Sequence, residues 1–310
     1  MLSILIPTYN YNITKLVGDL HSQAKSLAID FEIIVAEDGS QKFLEENQNL
    51  QNFPNVVYIE LKENIGRAKI RNFLAKTAKY PYLLFMDCDV QIIDNQFIKK
   101  YLDILPADVV IGGYAYSQTS PGRERILRWQ YGLLREVKSA NERNKMSNKS
   151  FSTFNFLIKR EIFNTVQFDE SISGYGHEDT MFGWELKKKN IVVLHIDNPL
   201  LQESPDETAV FLQKTENSVQ NLWLLYQKIS DKKDFAADNH LLKTYISLKK
   251  YRLTFLISLF FGLFGKYLYK NLCSEKPRIM FFDLYKLGIL NIFAAPSTPP
   301  KGENRALRTL

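Results

Sequence analysis

The stretch Tyr82-Leu83-Leu84-Phe85-Met86-Asp87-Cys88-Asp89 reads as a buried strand that runs straight into paired carboxylates. An unbroken apolar run of this length suits a parallel sheet covered on both faces, not a strand with one wet side. Working outward, the same form recurs. Residues 2–6 (LSILI) are closed by Pro7-Thr8-Tyr9-Asn10, and 31–36 (FEIIVA) by Glu37-Asp38-Gly39-Ser40. Residues 55–61 (NVVYIEL) lead to Asn64-Ile65-Gly66. Helical stretches at 13–28 and 67–79 separate these runs. Strand, turn and helix alternating through short connections predict an α/β fold: a mostly parallel open sheet with helices on both faces. Beyond residue 108 the rhythm loosens into strands at 108–112, 153–159 and 191–196, with helices near 123–140, 177–189 and 207–229.

Composition narrows the class. The chain has 310 residues, 45% of them hydrophobic, including 21 Phe, 16 Tyr and 3 Trp, which excludes disorder as the main state. Two cysteines, Cys88 and Cys273, are too few for a disulfide framework or a thiolate zinc site, and point to a reducing compartment. Met1–Pro7 has no basic run and no cleavage site of a signal peptide, so a cytoplasmic location is expected.

Charge divides the chain. From residue 228 onward 15 Lys and Arg face 6 Asp and Glu, whereas the first 227 residues carry 25 against 28. The expected organisation is a catalytic domain over 1–229, a basic, apolar helical appendage over 230–295 and a Pro-rich tail over 296–310. Within the appendage, 253–264 and 279–293 are nearly all apolar but fall short of the ~20 residues that span a bilayer. Two readings stand for this region. It is a helix lying on an anionic membrane surface, peripheral at the inner face, or a cap packed on the protein. Nucleic acid is not an expected partner, because the basic region is too apolar to sit exposed and lacks interleaved polar aromatics.

The carboxyl ends of parallel strands form the ligand crevice of an open sheet. Asp87 and Asp89, two residues apart in extended chain, point the same way and suit Mg²⁺ or Mn²⁺ shared with a diphosphate. Gly66 opens a helix carrying Arg67, Lys69 and Arg71, which could offer amides and cations to a phosphate. Asp38 could accept hydrogen bonds from a base or ribose, or simply belong to an Asp-Gly turn. Glu178 and Asp179 follow the Gly174-Tyr175-Gly176 loop at a helix start, where the dipole favours an ionised base. His195, in the apolar strand IVVLHI, is either a core residue or a ligand completing a metal site with Asp89.

Taken together, these motifs resemble those of the family-2 inverting glycosyltransferases of the GT-A fold. The matching residues are Ile6-Pro7-Thr8-Tyr9-Asn10, Glu37-Asp38-Gly39-Ser40, Asn64 through Asn72, Asp87-Cys88-Asp89 and Gly174 through Asp179. The last resembles the Gly-x-Gly-x-Glu-Asp stretch of the galactosyltransferase and chondroitin-polymerase-like branch. The resemblance implies a nucleotide-diphosphate sugar donor, a UDP-sugar such as UDP-Gal, UDP-GalNAc or UDP-GlcNAc, with Mn²⁺ or Mg²⁺. It implies a hydroxyl acceptor on a glycan or lipid-linked saccharide, in surface polysaccharide biosynthesis.

Carried over by position, Pro7, Thr8, Tyr9, Asp38, Arg67, Asp87 and Cys88 would hold the nucleotide sugar. Asp89 and His195 would ligate the metal, Asp179 would be the base, and Glu178 would orient the acceptor. The loop at 173–179 would act as a lid. Without a spanning helix, transfer of a single sugar fits better than processive export. Two alternatives are a sugar-nucleotide nucleotidyltransferase and a non-catalytic nucleotide- or glycan-binding module. The first lacks its Gly-rich loop after strand one, where Pro7-Thr8-Tyr9-Asn10 stands.

Overall fold

The computed structural model describes residues 1–172 and 174–295. Its strands, in chain order, are β1 (Leu2–Thr8), β2 (Phe31–Asp38), β3 (Val56–Leu61), β4 (Tyr82–Met86) and β5 (Val90–Ile92). There follow β6 (Val109–Ile111), β7 (Tyr114–Ala115), β8 (Asn155–Lys159), β9 (Val193–His195) and β10 (Leu200–Gln202). The longer helices are α1 (Thr14–Ser26), α2 (Arg67–Thr77), α3 (Glu178–Lys188), α4 (Thr208–Lys228), α5 (His240–Lys250), α6 (Thr254–Leu272) and α7 (Ile279–Ala294).

Two compact units result. The first comprises Met1–Gln118, Arg135–Gly174 and Glu178–Ser204; the second comprises 119–134, 175–177 and the chain from Pro205 onward. The division falls before α4, not at residue 229, because the apolar face of α4 belongs to the helical layer. Phe211 stacks on Phe282 of α7 at 5.2 Å, and the buried Tyr285 hydroxyl donates to Glu216 at 2.5 Å.

In the first unit a seven-stranded sheet runs β3-β2-β1-β4-β8-β6-β9. β1 is parallel to β2 and β4, and β2 to β3, whereas β8 lies antiparallel between β4 and β6. The mostly parallel open sheet is therefore present, with one reversed strand inside it. Alternation along the strands feeds two cores. Leu2, Ile4, Ile6, Leu84 and Met86 face α1, and Leu5, Leu83 and Phe85 face α2 and α3. Helices thus cover both faces. A three-stranded sheet, β5-β10-β7, lies outside this expectation.

The helix expected at 123–140 is broken. An α-helix at Ile126–Tyr131 widens into a π turn from Gly132, and a fresh helix starts at Ala140 behind a capping box of Ser139 and Glu142. In the second unit α6 lays Ile257, Phe261 and Leu268 against α7, packing it as a cap on that side. Among the described residues no helix is long and apolar enough by itself to cross a membrane. Ser173 and the 296–310 tail lie outside the described residues.

Candidate active site

Parallel pairing aligns the ends of β1, β2 and β4, with Thr8 opposite Glu37 and Leu5 opposite Phe85. Asp38 therefore emerges beside the loop that opens α2. Its two carboxylate oxygens accept the Ile65 and Gly66 amides at 2.7 and 3.2 Å. Burial lifts its pKa, and those two amides oppose the lift. Gly39, at φ +70°, must be glycine, since a Cβ there would meet the Asn64 nitrogen at 2.5 Å. The Asp-Gly turn is thus a clamp on the Asn64–Gly66 loop, and each Asp38 oxygen retains a second lone pair.

The clamp sets the start of α2, and α2 supplies two arginines with different tasks. Arg71, 2% exposed, donates to Asp87 Oδ1 at 2.6 Å and to the Arg67 carbonyl at 3.0 Å. It is a buried strut under Asp87, not a cation offered to a phosphate. Arg67 is 39% exposed at its side chain; its Nε meets Glu178 Oε1 at 2.5 Å and its Nη2 lies 3.9 Å from Asp87 Oδ2. Lys69 is exposed.

Glu178 and Asp179 begin α3, yet their proton affinities diverge. Burial pushes Glu178 up, but the Arg67 and Arg71 guanidiniums outweigh it and hold the carboxyl well below the usual range. Asp179 is held above its usual range, by burial first and then by the Glu178 charge beside it. Its Oδ1 accepts the Thr180 amide at 2.6 Å. Two adjacent carboxylates with opposite displacements make one a fixed anion and the other a group poised to take a proton. Glu178, expected to orient an acceptor, is buried with its Oε1 on the Arg67 guanidinium.

Asp89 follows β4 but is held from β10. Gln202 Nε2 donates to Asp89 Oδ2 at 2.6 Å, and the Glu203 amide to the Asp89 carbonyl at 3.1 Å. Burial, then the nearby Asp87, raises the Asp89 pKa. Beside it an open cleft of about 470 Å³ is lined by Tyr11, Lys15, Phe43, Cys88, Gln91 and Glu203, among others. The Tyr11 hydroxyl donates to Glu203 at 2.9 Å. Of the expected nucleotide residues Cys88 lines this cleft, its thiol pushed up by burial. Thr8 is buried, Pro7 half-buried and Tyr9 open to solvent at the end of β1.

His195 is not free to ligate. Its Nδ1 accepts from Arg143 at 2.8 Å and its Nε2 donates to the Ser147 carbonyl at 2.8 Å, so both ring nitrogens are committed. Burial, with Arg143 alongside, pushes its pKa down to about 4. Among the described residues no group of three His, Cys, Asp or Glu side chains is placed to hold a metal ion. We therefore expect His195→Ala to leave any metal titration unchanged. It should cost stability by about 2 kcal/mol through the abandoned Arg143 donor, read as a lower urea midpoint.

Gln202, Tyr11 and Glu203 escaped sequence reasoning. So did Tyr114, which stacks on Phe154 at 4.2 Å within the field of Asp87 and Asp179. In the second unit the Tyr175 carbonyl accepts from Asn221 at 3.2 Å. Gly176 comes so close to Ser218 that a Cβ would lie 2.6 Å from its Oγ. Tyr175 to His177 of the expected lid are thus seated on α4.

A mostly parallel sheet with carboxylates gathered past its strand ends, and one reversed strand within it, is the GT-A architecture of sugar transferases. The chain belongs to the family described as glycosyl transferase family 2, whose model matches residues 3–167. It is similar to the chondroitin synthase of Escherichia coli, 26% identical over 252 residues, which cover 66% of this chain and 35% of that protein. It is also similar to the validoxylamine A glucosyltransferase of Streptomyces hygroscopicus subsp. jinggangensis. That match is 27% identical over 223 residues, 62% of this chain and 52% of that protein.

Among solved structures, Staphylococcus aureus TarS 1–349 superposes with a TM-score of 0.53 at 17% identity, covering 88% of this chain and 78% of that one. A mannosyltransferase from Pyrobaculum calidifontis, solved with GDP-Man and Mn²⁺, gives 0.57 at 13% identity, covering 95% and 88%. The chain spans about a third of the length of the E. coli synthase and a quarter of that of the Pasteurella multocida one. The family match stops before Glu178 and Asp179.

Proposed function

We propose that the protein moves a single sugar from a nucleotide-diphosphate donor to an acceptor hydroxyl with inversion at the anomeric carbon. The donor class is a UDP-sugar such as UDP-Gal, UDP-GalNAc or UDP-GlcNAc. The acceptor is a glycan or lipid-linked saccharide of surface polysaccharide biosynthesis. The observation that carries this reading is the divergence at the head of α3, where Glu178 is a fixed anion and Asp179 a carboxylate of raised proton affinity. Direct displacement needs one base on the acceptor's side and no enzyme nucleophile. Asp179 takes the hydroxyl proton as the oxygen attacks, and Glu178 keeps Arg67 in place while its charge raises the basicity of its neighbour. Asp38, Asp87, Arg67 and Tyr9, near the strand ends, are assigned to the nucleotide, with Pro7, Thr8 and Cys88 shaping the wall.

The donor set at Asp89 fits a hard divalent cation that brings ligands of its own. Asp89 is half-buried and of raised proton affinity despite the opposing Arg67 charge, one of its oxygens is on the Gln202 amide, and among the described residues no Arg or Lys forms an ion pair with it. Asp87, by contrast, is already served by two arginines. Asp89 would hold Mn²⁺ or Mg²⁺ together with the donor diphosphate, and such an ion neutralises the charge that develops on a departing diphosphate. Arg67, half-exposed, adds a fixed positive charge on the protein side.

Calorimetric titration of UDP, with Mn²⁺ and with chelator, tests the donor reading. Binding to the wild type should need the metal, and Asp89→Ala should weaken it at least about tenfold. Absence of binding under every condition would remove UDP as the donor nucleotide.

A further inference from the structure

Helix α6 is covered on one side only. Ile257, Phe261, Gly265, Leu268 and Leu272 are buried, and the Phe261 ring sits where any side chain on Gly288 of α7 would clash. The opposite side carries Phe255, Leu256, Leu259, Leu263 and Tyr267, each between 45% and 69% exposed. Phe255, Leu259, Leu263 and Tyr267 recur at i, i+4, so they form one stripe about 18 Å long at 1.5 Å per residue. A helix on a soluble surface turns polar residues outward. This one turns large apolar ones outward as a contiguous patch.

The charges around the stripe are of one sign. Residues 240–274 contain six Lys and Arg and no Asp or Glu. Lys249, Lys250 and Arg252 stand at the 115° bend between α5 and α6, and Lys266 and Lys270 close the last turns of α6. Among the described residues none of these five cations is in an ion pair. Tyr251 and Tyr267, both well exposed, mark the two ends of the apolar stretch.

We propose that this face of the second unit docks onto an anionic phospholipid bilayer, with α6 lying along the interface. The apolar stripe enters the upper acyl region, the tyrosines sit at headgroup depth and the lysine collars meet lipid phosphates. The helix does not span: its inner half is committed to α7. A second copy is the poorer occupant, because a two-fold contact through this face would bring two unpaired cation clusters together. Neither α6 nor the bend before it contributes a residue to the proposed transfer site.

The test is flotation of the full chain with unilamellar vesicles of phosphatidylcholine, with and without phosphatidylglycerol. The wild type should float with the mixed vesicles, and salt should weaken but not abolish this. Pure phosphatidylcholine should bind it roughly tenfold less. Leu259→Glu and Leu263→Glu, both on the exposed side, should each lower partitioning by about tenfold or more. Lys266→Glu with Lys270→Glu should lower it for the anionic vesicles only. Metal-dependent UDP binding by each variant serves as the control for an intact fold. Wild type remaining in the aqueous phase, or Leu263→Glu floating undiminished, would overturn the proposal. So would a dimer in sedimentation velocity that Leu263→Glu dissolves while vesicles are ignored; that face would then be a self-association surface.

Discussion

Asp179→Asn is expected to reduce sugar transfer by about 10²–10⁴-fold while leaving UDP affinity within a factor of about two, the scale set by removing a positioned general base. The substitution keeps the shape and the backbone contact that Asp179 Oδ1 makes with the Thr180 amide. It removes only the capacity to take a proton. Because the Asp179 pKa is raised, by burial and by Glu178, transfer should fall as pH drops through that raised value, above where an ordinary Asp titrates. The Asn variant should show no such acid limb. Stability declines in the same direction, through its neighbour and at lower pH. The Glu178 pKa is depressed, so its contribution is complete above the unfolded value and is lost as pH falls through the folded one. A pH–rate profile on a UDP-sugar donor, beside UDP calorimetry, separates the effects. Equal loss of transfer and of UDP affinity would move Asp179 to the donor site.

Arg71→Met should be the most damaging single change to the fold near the site, costing about 3 kcal/mol. The guanidinium is buried, and it joins the Asp87 carboxylate, the Arg67 carbonyl and the Thr153 hydroxyl, at 2.6, 3.0 and 3.4 Å. Removing it leaves the partly buried Asp87 carboxylate, among the described residues, with the distant ion pair to Arg67. A domain is stable by only about 5–15 kcal/mol, so the urea midpoint should drop visibly. Asp87→Asn in the same background should recover part of the loss, since the uncompensated charge is then gone. Failure of that rescue would assign the damage to lost packing against Phe168, over whose ring the guanidinium lies at 5.9 Å.

The major strands were legible because each is a continuous apolar run closed by turn residues, and burial on both faces demands such a run. The two- and three-residue strands β5, β7 and β10 carry too few residues for any period to show. Helix breakage at Gly132 and Ser139 was written in the residues, but the mixed apolar and charged run over 126–137 masked it. The chemistry divides the same way. Asp38, Asp87, Asp89 and Asp179 were found because each is adjacent in the chain to a strand end or helix start. The pairings within the site were not, because Gln202 lies 113 residues from Asp89 and Glu178 lies 111 from Arg67. His195 was read two ways because nothing beside it in sequence announces Arg143, 52 residues earlier. Partners brought together by tertiary contact leave no local pattern.

The grip of Gln202 on Asp89 also has a consequence for synthesis. A ribosome adds roughly 5–20 residues per second, so the 113 residues between the two take on the order of ten seconds to emerge. During that interval β1 to β4 can already pair, whereas β10 does not yet exist to seat between β5 and β7. The nascent domain thus passes through a stage with its principal sheet formed and Asp89 without its amide partner. A chain halted near residue 199 should fold yet bind UDP poorly, and the site comes of age only when its last strand leaves the tunnel.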